Sequence, residues 1–131
     1  MRLWHESLIP HLPRQQLLGQ HRECCALRGN GWGKPHSVVN YVFKYSRVKL
    51  ALYHLEVMYE MERRGYAVDK KWFDFEYRGK SCLPDTMEEV ATAMSDCELD
   101  VWLRPVYAEH NDAYLKECLD NLKGKGIIIK L

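Results

Sequence analysis

A stretch of helical periodicity from about Val38 to Arg64 constrains this chain more than any other feature. Val38, Val42, Tyr45, Leu52, Leu55 and Tyr59 recur at steps of three, four and seven residues, the spacing that lines apolar side chains along one helix face. Arg63 and Arg64 stand in its last turn, where positive charge complements the free carbonyls, and Gly65 follows at the position that favours left-handed backbone.

Three further helices are expected around this one. The first runs from about Pro13 to Arg28. Proline suits its opening turn, and Gly29-Asn30-Gly31 closes it. Its apolar face is Leu17, Leu18, His21, Cys24, Cys25 and the stem of Arg28. A short helix fits 86–95, where Thr86 and Glu89 have the spacing of a capping box. A fourth fits Asn111–Lys123, with Ala113, Tyr114, Cys118, Leu119 and Leu122 inward and Gly124 at its end. Residues 1–12 read as an extended segment and 66–84 as irregular, with the aromatics at 72–77 in the core. Ile127-Ile128-Ile129 reads as a short strand or an apolar plug. The fold class is therefore all-α, a single compact domain of about four helices over residues 1–131 with irregular loops.

Composition agrees with a globular chain: 47% of residues are hydrophobic and 28% charged. No apolar run is long enough to span a bilayer, and Trp4-His5-Glu6 interrupts any secretory signal, so a cytoplasmic protein is expected. Cys24, Cys25, Cys82, Cys97 and Cys118 form no CxxC pair and read as free thiols. The histidines are scattered, so a zinc site would need ligands from distant segments. No metal and no cofactor are expected. Net charge is only +1, which does not by itself mark a nucleic-acid binder. The distribution is uneven, however. Residues 1–50 carry Arg2, Arg14, Arg22, Arg28, Lys34, Lys44, Arg47 and Lys49 against Glu6 and Glu23, so the amino-terminal part is able to present a positive face to phosphates.

On the first helix Gln15, Gln16, Gly19, Arg22, Glu23 and Ala26 share one arc. From the residues alone, this is a solvated polar face or a surface that a ligand approaches closely over Gly19 and Ala26. Trp32, Lys34 and His36 in the following loop read either as nucleic-acid contacts, with Trp32 stacking on a base, or as a packed loop aromatic with its neighbours, and Lys44 and Arg47, one turn apart, as a phosphate clamp or ordinary solvent-facing charges.

Leu12, Gln15, Leu17-Leu18 and Arg22-Glu23, behind a basic residue at position 2, resemble the catalytic segment of the pyrimidine-dimer DNA glycosylases, the endonuclease V type of phage and algal virus. Val42-Phe43 and Arg63-Arg64-Gly65-Tyr66 extend the likeness, which covers roughly residues 1–28 and 40–68. The resemblance implies a DNA-repair glycosylase with abasic-site lyase activity, acting as a monomer on damaged double-stranded DNA. The nucleophile it implies is the α-amine of Met1, retained because Arg2 is too bulky for methionine excision. It implies Glu23 as the catalytic carboxylate, Arg2 and Arg22 as phosphate-binding arginines, and Gln15 on the DNA-facing surface. The family carries an arginine where this chain has Ala26. Arg28, about half a turn further, is the candidate substitute, and Lys34 is a further DNA contact. The competing reading is a non-catalytic nucleic-acid-binding or protein-interaction helical domain.

Overall fold

The computed structural model describes residues 2–35, 38–96 and 104–131. It is all-α, with no strand among the described residues. Four α-helices occur among the described residues: α1 (Arg14–Arg28), α2 (Arg47–Arg63), α3 (Met87–Asp96) and α4 (Asp112–Gly124). Short 3-10 turns at Glu6–His11, Asn40–Lys44 and Lys70–Phe73 connect them. No helix is long and apolar enough to cross a membrane among the described residues.

Local chemistry sets most helix ends. Pro13 caps α1, and its carbonyl accepts the Leu17 amide at 3.0 Å. At the other end the Gly29 amide donates to Cys25 and Ala26 carbonyls, and the Gly31 amide folds back on Ala26 O at 2.8 Å. A Cβ at Gly31 would sit 2.8 Å from that same oxygen, so only glycine permits the closure. The capping box of α3 forms in both directions: Thr86 Oγ1 accepts the Glu89 amide at 3.0 Å, and Glu89 Oε2 accepts the Thr86 amide at 3.1 Å. Asn111 caps α4 by accepting the Tyr114 amide at 2.9 Å.

Three expectations are corrected. The long helix from Val38 is broken: a 3-10 turn ends at Lys44, Tyr45 and Ser46 are extended, and α2 starts at Arg47. The break has a tertiary cause. The Tyr45 hydroxyl donates to the Glu109 carboxylate at 2.9–3.0 Å, and its ring packs 5.4 Å from that of Tyr107. The break also resets the helical phase. The buried face of α2 is Leu50, Tyr53, His54, Val57 and Met61, while Leu52 and Leu55 are half-buried and Tyr59 is exposed. The segment 1–12 is not extended throughout but winds into a 3-10 turn at Glu6–His11, capped by His5 Nδ1, which accepts the Ser7 amide at 3.1 Å. The aromatics at 72–77 are half-buried rather than core. Trp72 lies over the Arg28 guanidinium at 5.2 Å and meets the Tyr77 ring at 4.8 Å.

The core is built on the α1–α2 contact. Leu17, Cys24 and Leu27 of α1 meet Leu50, Tyr53, Val57 and Met61 of α2. Leu3, Leu8, Leu12, Val106, Tyr107, Cys118 and Leu122 complete the same cluster. In the tail Ile127 and Ile129 pack against this core and Ile128 faces solvent, so the tail acts as an apolar plug.

Candidate active site

Gln20 organises the site. It lies on the buried arc of α1 between Leu17 and Cys24, and it is 1% exposed. Its amide spends both ends on the amino-terminal segment. Oε1 accepts the Trp4 amide at 2.6 Å, and Nε2 donates to Arg2 O at 3.0 Å and to Glu23 Oε2 at 3.1 Å. The Tyr53 hydroxyl donates to Trp4 O at 2.6 Å from below, and the Tyr114 hydroxyl of α4 donates to Leu3 O at 2.5 Å. Residues 2–4 are thus pinned along α1 by side chains from three helices. A buried amide with all its groups matched is strongly directional, because any other placement leaves a desolvated donor or acceptor.

The pinned segment delivers the Arg2 backbone amide to Glu23, which accepts it at Oε2 over 3.4 Å. Partial burial raises the pKa of Glu23 above the ordinary carboxylate range. The Arg2 amide, the charge of Lys125 and the Gln20 amide oppose that rise. A cleft of about 250 Å³ opens beside the carboxylate, lined by Arg2, Trp4, Glu23, Val38, Asn121 and Lys125. The Arg2 guanidinium stacks near Trp4 and Tyr114, 5.9 and 5.7 Å from the ring centroids, and pairs with the exposed Glu117 at 3.5 Å. Its Nη1 is buried with no hydrogen-bond partner among the described residues. The Lys125 ammonium lies 5.9 Å from the Trp4 centroid. A part-buried carboxylate in a cleft that Arg2 and Lys125 also line is suited to moving a proton and to meeting a developing positive charge.

The residues singled out from sequence are distributed unevenly. Arg2 and Glu23 meet in the cleft. Gln15 and Arg22 are exposed on α1, and Lys34 is exposed in the loop after it. Met1 and His36 lie outside the described residues, as does Cys97. Arg28 is not a surface residue: it is 2% exposed. Its guanidinium donates to His54 Nδ1 at 3.0 Å and to the carbonyls of Trp72, Asp74 and Tyr77 at 2.8–3.3 Å. With its donors so committed inside the fold it cannot replace the arginine missing at Ala26. Arg47 is likewise engaged, by Asp85 at 2.9 Å through Nε and by stacking over Trp32 at 5.2 Å.

Gln20, Asn121 and Lys125 are among the contributors that the sequence does not single out. Gln20 had a signal, since a polar residue between Leu17 and Cys24 on an apolar arc needs buried partners. Asn121 and Lys125 had none, because α4 reaches the cleft only through tertiary packing.

The family model for pyrimidine dimer DNA glycosylase matches residues 1–74. The chain belongs to this family. Comparison with curated proteins and with solved structures gives no match. The matched span holds the amino-terminal segment, α1 and α2, and therefore Arg2, Gln20 and Glu23. Membership makes the chain a DNA-repair glycosylase with DNA as its substrate. The cleft-lining residues Asn121 and Lys125 of this glycosylase lie beyond the matched span.

Proposed function

We propose that this glycosylase excises a damaged base from double-stranded DNA through the α-amine of Met1 and then cuts the strand as an abasic-site lyase. The observation that carries this reading is the Arg2 amide held 3.4 Å from the Glu23 carboxylate. Met1 is joined to that nitrogen, so in a chain beginning at Met1 the α-amine is three bonds from an atom that the carboxylate holds. An α-amine has pKa about 7.7–8.0 against about 10.4 for lysine, so a far larger fraction is neutral and nucleophilic near pH 7.

The amine attacks C1′ of an extruded nucleotide as the C1′–N bond breaks, and the base leaves with that electron pair and takes up a proton. Loss of the amine proton and opening of the sugar ring, with O4′ protonated, give an iminium at C1′. Removal of a C2′ proton then expels the 3′ phosphate by β-elimination, and water releases the amine. Glu23 faces the cation in its ionised form and is the base for the C2′ proton. Arg2, Lys125 and the exposed Arg22, Gln15 and Lys34 hold the phosphates around the extruded nucleotide, whose flipping costs least at a lesion.

Glu23→Gln tests the assignment, because the amide keeps shape and hydrogen bonding but cannot take a proton. Nicking of abasic-site DNA is expected to fall by about 10²–10⁴-fold. Wild-type nicking by the variant would refute the role given to Glu23.

A further inference from the structure

A second polar cluster lies on the other side of α1, about 200° around the helix from Glu23. His21 and Cys25 stand one turn apart on α1, and His54 of α2 reaches across to them although 33 residues separate it from His21. His21 Nδ1 and His54 Nε2 are 2.8 Å apart. Cys25 Sγ is 4.0 Å from each of these atoms and 3.8 Å from His21 Nε2. One ligand atom from each residue therefore falls within 4.8 Å of the others.

We propose that His21, Cys25 and His54 form a zinc site that ties α1 to α2. Two imidazoles and a thiolate are the donor set of a borderline-soft d¹⁰ ion. Tetrahedral zinc, with bonds of about 2.1 Å to nitrogen and about 2.3 Å to sulfur, spaces its ligand atoms roughly 3.4–3.7 Å apart. The present separations of 2.8 and 4.0 Å bracket that range. Loading the site parts the two rings and draws the sulfur in, each by about half an ångström. His21 and Cys25 are half-exposed, which leaves a route for the ion and a fourth position for water.

Burial keeps both histidines in the neutral form that ligates metals, His54 most strongly, and holds the Cys25 thiol protonated with its pKa pushed up to about 11. Binding thus displaces the thiol proton: one Zn²⁺ and one thiol give a zinc thiolate and a released proton. Arg28 adds a cost. Its Nη1 donates to His54 Nδ1, so the proton of neutral His54 sits on Nε2. Coordination through Nε2 moves that proton to Nδ1 and ends this one bond, while the three carbonyl acceptors of Arg28 remain.

The test uses the full chain, stripped of metal and titrated with zinc against a chromophoric chelator and separately with cobalt(II). The expected results are one equivalent of zinc bound and a thiolate-to-cobalt charge-transfer band in the near ultraviolet. Cys25→Ser should abolish the band and weaken zinc binding by about tenfold or more, and His21→Ala should weaken binding similarly. Cys82→Ser should change neither. Absence of the band in the wild-type protein overturns the proposal whatever the variants do. So does a band, or undiminished zinc affinity, that persists in folded Cys25→Ser.

Discussion

Arg22 and Arg28 lie six residues apart on one helix and have opposite fates. Arg22 faces solvent, and Arg28 is buried against His54 and three carbonyls. Periodicity placed the Arg28 stem on the apolar side, but the side chain's positive charge drew it toward a phosphate-binding role. What decides between them is the set of carbonyls at 72–77, which no local pattern announces. Arg28→Ala is expected to cost about 3 kcal/mol or more in chemical denaturation, because several buried acceptors lose their donor. Arg22→Ala should stay within about 0.5 kcal/mol of wild type in the same assay. In DNA-binding titrations it should lower the salt dependence by about one counterion.

Glu23 carries a stability cost that follows from its position. Burial raises its pKa in the fold above the unfolded value. The stabilisation linked to its protonated form is therefore complete below the unfolded pKa and is lost as pH rises through the folded one. At neutral pH the wild-type chain holds an ionised, part-buried carboxylate that Glu23→Gln removes. Denaturation at neutral pH should find the variant at least as stable as wild type, with the difference shrinking toward about pH 4, near the unfolded carboxylate pKa. A variant less stable at neutral pH would mean that the carboxylate's charge supports the fold.

Helices α1, α3 and α4 were legible to within a residue or so because their ends are set locally, by Pro13 and Gly29, by the Thr86–Glu89 box and by Asn111. The start of α2 was not. Its break is tied to Glu109, 64 residues from Tyr45, and with it went the helical phase and the identity of the buried face. The same distance effect hid a third of the cleft lining. The fourth helix docks through Cys118, Leu122 and the Tyr114–Leu3 hydrogen bond, and this brings Asn121 and Lys125 to Glu23. Lys125→Ala tests that contribution of α4 directly. It should reduce the salt slope of DNA binding by about one and weaken binding across sequences alike, since a phosphate contact reads no base. Unchanged DNA binding would remove α4 from the interface.

At the scale of the whole molecule, a net charge of +1 conceals a basic amino-terminal half. The fold lays residues 2–4 along α1 through Gln20 and ties them to α4 through the Tyr114–Leu3 hydrogen bond. Lys125 lines the same cleft as Glu23 and Arg2, so the proposed mechanism has two candidate amines, the α-amine of Met1 and the Lys125 side chain. Which of them forms the covalent bond is the central question, and borohydride trapping on abasic-site DNA answers it. Reduction fixes the iminium, and peptide mapping reads the modified nitrogen. The Met1 mechanism predicts a single adduct on the α-amine of Met1, which Lys125→Ala still forms there once DNA is raised to saturation. An adduct on Lys125, or none on any amine while nicking proceeds, would contradict it.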